Sequence, residues 1–339
     1  MIPRTELIWH TQNTDRSNWQ QALKNLVRDP AELFQLLSLN SDEMPAHLAA
    51  CEDFALRVPR GFVDKMVPGD WQDPLLLQVL PQAIELADQP GFIHDPLQEK
   101  HSNPHTGLIH KYQGRVLLVA SGSCAINCRY CFRRHFPYEE NNPSLKQWRQ
   151  TLGYIANDSS IHEVILSGGD PLVINDKQLT QLVQLIADIP HVTTLRIHSR
   201  LPLVLPERID GAFIKAFTDN RLNHVFVIHC NHPNELDGKV GLALSALKKA
   251  GVTLLNQSVL LANINDKSHI LQSLSEKLFS HGVLPYYLHL LDKVQGAAHF
   301  EVTENHAKQL IESLLARLPG YLIPKLVTEL PEAPSKTPL

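Results

Sequence analysis

Residues 163–200 read EVILSGGDPLVINDKQLTQLVQLIADIPHVTTLRIHSR. A short apolar run from Glu163 to Leu166 is followed by an amphipathic helical stretch from Asp176 to Ile189 and a second run from Thr194 to His198. Two strands joined by a crossover of that length lie parallel in one sheet, with a right-handed connection. The unit extends in both directions. Further strands are expected at Val116 to Ala120, His224 to His229, Thr253 to Val259 and Tyr286 to Leu290. Helices are expected near Leu145 to Ala156, Pro206 to Thr218, Glu235 to Ala250, Lys267 to Ser280 and Thr303 to Arg317. Six strand-then-helix units imply an α/β fold, either a doubly wound sheet or a partial (β/α)6 barrel, which fits better. The strand tips read SGSC, SGGDP, HSR, HCNHP, NQS and HLLDK, and in parallel sheets ligands bind at that edge. All six tips are expected to face one pocket.

Before the first of these strands the pattern is different. Trp19, Leu23, Leu26 and Val27 recur at helical spacing in a helical region running from Asp15 to about Val67, and Asp29-Pro30 caps a second helix, Ala31 to Leu39. Residues 68–113 carry many Pro and Gly and read as an ordered connector with one helix at Leu75 to Ala87. Pro319 to Leu339 reads on composition alone as a surface tail. With 43% hydrophobic and 19% charged residues among 339, the chain can bury a sizeable core. A net charge of −4 offers no basic field for a nucleic-acid backbone. There is no basic-then-apolar leader and no apolar run of membrane-spanning length, so the expected setting is the cytoplasm, with no nucleic acid and no membrane as partner.

Three of the five cysteines, Cys124, Cys128 and Cys131, lie within eight residues at a strand tip. In a reducing compartment such clustering favours metal ligation over disulfides. A 4Fe-4S cubane takes four thiolates when saturated; three leave one iron free to chelate the amino and carboxylate groups of S-adenosylmethionine. The alternative is a zinc site completed by His135. Ser167, Gly168, Gly169 and Asp170 form a glycine-rich tip that serves either close ligand approach or a tight turn. His198 and Arg200, Asn231 and His232, and Asn256 and Gln257 supply polar groups at successive tips. Cys51 and Cys230 read as inert buried thiols.

CAINCRYCFRR (124–134) resembles the C-x3-C-x-aromatic-C signature of the radical S-adenosylmethionine superfamily, with Tyr130 in the aromatic position beside the adenine. Beyond it, HKYQGRVLL, CRYCFRRHFP, ILSGGDPL, RIHSRLP, NHPNEL, LLNQSVLL and PYYLHLLDKVQGAAHF resemble the lysine 2,3-aminomutase family from about residue 90 onward. The likeness is greatest to its shorter members, which make β-lysine for modification of elongation factor P. This resemblance implies a helical region and connector over 1–95, a radical S-adenosylmethionine barrel over 96–318 and a segment over 319–339 that carries a pyridoxal phosphate lysine. In PSKTPL that role falls on Lys336, which side-chain physics alone would leave as a solvated charge. The resemblance also implies that Lys111, Tyr112 and Arg115 hold the coenzyme phosphate. Ser167, Gly168, Gly169, Asp170, His198, Arg200, His232 and Gln257 would serve the cofactors, Arg133 would clamp the substrate carboxylate, and Asp292 with Glu329 would bind the far ammonium of lysine.

The implied reaction is isomerisation of L-lysine to β-lysine through a 5′-deoxyadenosyl radical, with an external flavodoxin- or ferredoxin-type reductant and, downstream, a β-lysine ligase acting on elongation factor P. Two departures stand out. Glu329 replaces a family aspartate, and Glu332-Ala333-Pro334-Ser335 replaces a glycine run. The competing readings are a radical S-adenosylmethionine enzyme without pyridoxal phosphate, and a non-catalytic zinc or iron–sulfur module.

Overall fold

The computed structural model describes residues 18–40, 44–138 and 145–339. Strand alternation organises them. Nine strands lie in chain order: β1 (Leu108–Tyr112), β2 (Arg115–Ser121), β3 (Glu163–Gly168), β4 (Thr194–Ser199), β5 (Asn223–Ile228), β6 (Thr253–Val259), β7 (Leu284–His289), β8 (Lys325–Thr328) and β9 (Thr337–Pro338). β2 to β8 are parallel, and β1 and β9 each pair antiparallel with the strand beside them. The sheet does not close, so its curl leaves a partial barrel.

On β4 the residues Leu195, Ile197 and Ser199 are buried while Thr194, Arg196 and His198 are half-buried. Successive side chains on a strand point to opposite faces. Leu195 and Ile197 therefore join the apolar core beneath the helices, while Arg196 and His198 face the barrel interior. The same period runs through Ile165 and Ser167 on β3, Leu255 and Gln257 on β6, and Tyr287 and His289 on β7, all facing inward. The interior accordingly mixes polar with apolar side chains, while the outer face is apolar. Helices Leu145–Asn157, Asp176–Ala187, Gly211–Thr218, Gly238–Lys249, Ser268–Ser280 and Glu304–Leu315 lie between the strands close to where they were expected. Asn175, Asp210, Asp237 and Thr303 cap four of them by accepting from backbone N–H groups in the first turn.

Three expectations need correction. Leu75 to Ala87 is a series of turns followed by a 3-10 helix at Ala83–Leu86, since Asp73, Pro74, Pro81 and Gln82 direct the backbone into local caps. The connector also contributes β1, which pairs as a hairpin with β2. The segment beyond Pro319 is no loose tail: β8 extends the parallel sheet and β9 folds back on it, pairing Thr328 with Thr337. The N-terminal helices are present at Asn18–Lys24, Pro30–Leu36, Met44–Asp53 and Arg60–Val63, with Asp29 capping the second. The expected start at Asp15 lies outside the described residues.

These N-terminal helices share one hydrophobic cluster with the barrel, from Trp19 to Val283. Buried Arg208 is held under the Trp19 ring at 4.3 Å, and Lys65 donates to the carbonyls of Leu203 and Glu235. Among the described residues no helix is long and apolar enough to cross a membrane.

Candidate active site: the three-cysteine loop and the tail lysine

After β2 the chain turns sharply. The Cys131 N–H donates to the Cys128 carbonyl and the Arg134 N–H to the Cys131 carbonyl, so the loop coils on itself. Its outer side is pinned by residues far away in sequence. Asn127 N–H donates to the Arg57 carbonyl, Arg129 N–H to the Gln78 carbonyl, and the Arg57 guanidinium to the Cys124 carbonyl. Arg129 is fully buried and grips Glu85 through Nε at 2.9 Å, and Arg134 reaches the same carboxylate at 3.0 Å. The Arg134 side chain is fully buried as well.

Cys124, Cys128 and Cys131 line one cavity of about 870 Å³ within the barrel. Burial lifts the Cys124 thiol well above its usual range, as do Cys131, Asp170 and Cys128 beside it. Burial and the neighbouring Cys128 lift Cys131 to about 11. Three half-buried thiols side by side would ionise only against a cationic centre, and an iron–sulfur cluster supplies one. The donor set fits that group. His135 does not join it: its ring stacks on His94 at 4.3 Å and its Nε2 faces the Gln295 carbonyl. The zinc reading needed His135 as its fourth ligand, and that imidazole is engaged elsewhere.

At the β3 tip the glycines are packing requirements. A Cβ on Gly168, whose φ is +120°, would stand 2.5 Å from the Ser121 carbonyl oxygen, and one on Gly169 would stand 2.4 Å from that of Ser123. The tip thus lies directly on the start of the cysteine loop, with Gly169 and Asp170 N–H groups donating to Ser121 and Ser123 carbonyls. The same two glycines line the cavity, so the tight turn and the open ligand wall are one arrangement.

Asp170 lines the cavity and also braces the strands around it. It accepts from Leu172 N–H, the Ser199 hydroxyl and Arg200 N–H, tying β3 to β4. Burial raises its carboxyl to about 6 against those bonds. Arg200 donates to Cys128 Sγ at 2.7 Å and to Gln78 and Glu235, and Tyr130 OH sits in the same network with Asn231. Neither Gln78 nor Glu235 was singled out from sequence: Gln78 falls in the turns that replace the helix expected at Leu75 to Ala87, and Glu235 ends the 3-10 helix Pro233–Glu235.

Opposite the cysteines lies the tail. Because Thr328 pairs with Thr337, Glu329 and Lys336 stand across the β8–β9 hairpin, and Lys336 Nζ meets Glu329 Oε2 at 2.5 Å. Lys111 Nζ and Tyr112 OH approach Glu329 Oε1 at 3.1 and 2.8 Å, and the Arg115 guanidinium lies 4.7 Å above the Tyr112 ring. Cationic and phenolic donors thus converge on an anionic oxygen beside a lysine amine, which fits a pyridoxal phosphate whose phosphate meets the donors and whose aldehyde meets Lys336. Asp292 is buried in the same wall, and burial with the nearby Glu329 raises it to about 7.

His232 is the expected residue that the fold takes elsewhere. Its Nδ1 accepts from Asn234 N–H and caps the 3-10 helix Pro233–Glu235, outside the cavity lining. His229 lines the cavity instead, with His198 and His289. The Nε2 atoms of all three and Gln257 Oε1 are buried without a partner. Burial and nearby cations lower all three imidazoles, His229 to about 4. A parity count along β5 and β7 would have found His229 and His289. Glu99, whose carboxylate grips Arg133, sits in a connector where no such count applies.

Residues 113–194 match the family model described as a 4Fe-4S single cluster domain. With its three-cysteine tip and parallel partial barrel, the chain is an iron–sulfur enzyme of the radical S-adenosylmethionine class. An L-lysine 2,3-aminomutase of Haemophilus influenzae is 49% identical over 95% of this chain and 96% of that one. One of Escherichia coli is 50% identical over 97% and 96%, and one of Clostridium subterminale is 32% identical over 99% of this chain and 81% of that one. The chain belongs to the L-lysine 2,3-aminomutase family. A solved radical SAM methyltransferase from Sphaerobacter thermophilus aligns at a TM-score of 0.46 with 15% identity, over 65% of this chain and 68% of that one.

Proposed function

We propose that this chain interconverts L-lysine and β-lysine. The observation that carries the reading is the meeting of two distant sequence features in one cavity: the three-cysteine loop and Lys336. When bound, the cluster with S-adenosylmethionine supplies a radical that removes and returns one hydrogen atom, and pyridoxal phosphate supplies the carbon that carries the migrating amino group.

The chain's own residues bind and orient. Cys124, Cys128 and Cys131 would hold the cluster, and the Ser167–Gly169 tip would serve S-adenosylmethionine. Lys111, Tyr112 and Arg115 would hold the coenzyme phosphate, and Lys336 would anchor its aldehyde end. Arg133 takes the substrate carboxylate, and Asp292 and Glu329 the far ammonium. His198, His229 and His289 are held neutral, so they offer hydrogen bonds without becoming strong acids beside a radical. Buried walls exclude water.

The family resemblance further supports a cytoplasmic enzyme reduced by a flavodoxin or ferredoxin, whose β-lysine is consumed by a ligase acting on elongation factor P. Anaerobic incubation of reconstituted protein with isotopically labelled L-lysine, S-adenosylmethionine and reductant should yield labelled β-lysine. No β-lysine, or an undiminished yield from Lys336→Ala protein, would sink the reading. Elongation factor P from cells lacking the chain should lose the mass of one β-lysyl group.

A further inference from the structure

Arg133, the group read above as the substrate's carboxylate clamp, already holds a carboxylate. Its Nε donates to Glu99 Oε2 at 2.8 Å and its Nη2 to Glu99 Oε1 at 2.6 Å, the two-bond fork by which guanidinium groups recognise carboxylates. The guanidinium is oriented by Phe132 and Phe136, whose ring centroids lie 4.9 and 5.8 Å from its carbon. Its remaining nitrogen, Nη1, makes only two long contacts, 3.3 Å each, to Ser167 Oγ and the Gly168 carbonyl. Glu99 and Arg133 both line the cavity. An entering carboxylate meets a fork that is filled from within the chain.

The segment that carries Glu99 is anchored and strained. Ile93 pairs with Val294, its N–H donating to the Lys293 carbonyl and its carbonyl accepting from Gln295, so the connector is tied to the loop bearing Asp292. Five residues on, Gln98 is left-handed at φ +50°, a conformation that disfavours residues other than glycine. Glu99 begins the 3-10 helix Glu99–Ser102 immediately after that bend. The backbone is thus bent unfavourably immediately before the residue that delivers the carboxylate into the cavity.

We infer that Glu99 is an internal competitor for Arg133, a tethered carboxylate that substrate must displace or share, and so a residue that sets how strongly an amino acid's carboxylate is recognised. The inference rests on the reading of Arg133 as the carboxylate clamp. Two carboxylates on one guanidinium repel each other at close range. A tethered competitor acts at a high effective concentration. Glu99 therefore weakens the hold on any carboxylate ligand, product included, and recaptures Arg133 as that ligand leaves. Ligands without a carboxylate are indifferent to it.

The test uses holoenzyme carrying cluster and pyridoxal phosphate, without reductant, and titrates L-lysine and 1,5-diaminopentane while following the coenzyme absorbance. The second amine is lysine without its carboxylate. In Glu99→Gln and Glu99→Ala proteins the Kd for L-lysine should fall about tenfold, the size of one charge-assisted contact. The Kd for 1,5-diaminopentane should stay within about twofold of the parent, a change too small to correspond to such a contact. An unchanged or weakened lysine affinity, or parallel movement of both ligands, overturns the inference. Failure of L-lysine to perturb the coenzyme in the parent protein would instead overturn the proposed function. Iron content and coenzyme stoichiometry equal to the parent's keep a folding defect from imitating either result.

Discussion

Asp292 and Glu329 are carboxyls in one wall, yet they titrate far apart. Burial raises Asp292 to about 7, helped by the negative charge of Glu329. Burial also opposes charge on Glu329, but Lys336, Lys111 and the Tyr112 hydroxyl overcome it and bring that carboxyl to about 2. Glu329 is therefore charged throughout the working range, while Asp292 becomes charged only as pH rises through about 7. Lysine affinity, read from coenzyme absorbance, should improve across that interval in the parent protein and stay flat in Asp292→Asn. The stability signs are opposite. Asp292, raised from its ordinary 3.8, contributes stability below that value, lost as pH rises through about 7. Asp292→Asn should gain on the parent between about pH 4 and 7, by at most about 4 kcal/mol at the upper end, as unfolding midpoints will show. Glu329 contributes stability above its ordinary 4.5 that is lost as pH falls through about 2. A second residue-scale consequence concerns Glu332, left-handed at φ +63° where the family has a glycine run. Glu332→Gly should raise stability by about 1 kcal/mol or less, with the unfolding midpoint as the measure.

Among elements, the β3 tip is where packing and chemistry are least separable. Gly169→Ala would push a methyl group against three backbone atoms of Ser123, at 2.4, 2.7 and 2.9 Å. Backbone cannot swing aside as a side chain can, so the cysteine loop must shift. The expected cost is about 1–3 kcal/mol in unfolding free energy, with weaker iron retention in an anaerobic reconstitution assay. Gly153, in helix Leu145–Asn157, is the natural control, since nothing lies within 4 Å of its missing Cβ. Gly153→Ala should stabilise by about 0.5–1 kcal/mol and leave iron content alone. Equal effects from both substitutions would show that the tip does not brace the cluster loop.

At the scale of the whole molecule, the N-terminal helices and the connector are the outer half of the cluster site. Arg129 and Arg134 on the cysteine loop both end on Glu85, and all three side chains are fully buried. Glu85→Gln would leave two buried cations facing a neutral amide and should lower unfolding free energy by about 3–5 kcal/mol, with loss of iron at temperatures well below the parent's. Calorimetry and iron release followed together would check this; iron lost only at global unfolding would count against the bracing role. The parallel strands, their helices and the three-cysteine tip were legible in sequence because they rest on local signals: period-two and period-3.6 apolar patterns, capping residues and close cysteine spacing. Lys336 was legible only through family resemblance, since a lysine near a chain end carries no local sign of burial. The rest depends on long-range pairing. β8 and β9 are too short and too mixed in polarity to announce themselves, yet their hairpin sets Lys336 against Glu329. His229 follows the parity of β5 into the cavity, whereas His232 lies beyond the strand, where it caps a 3-10 helix that strand periodicity does not foresee. Glu99 reaches Arg133 across thirty-four positions, through a connector with no repeat to read. Sequence by itself determined the parallel architecture and the clustering of three cysteines at one strand tip, because local spacing suffices for both. Only the tertiary structure decided which charges meet inside the barrel, because those meetings follow from strand register and the curl of the sheet.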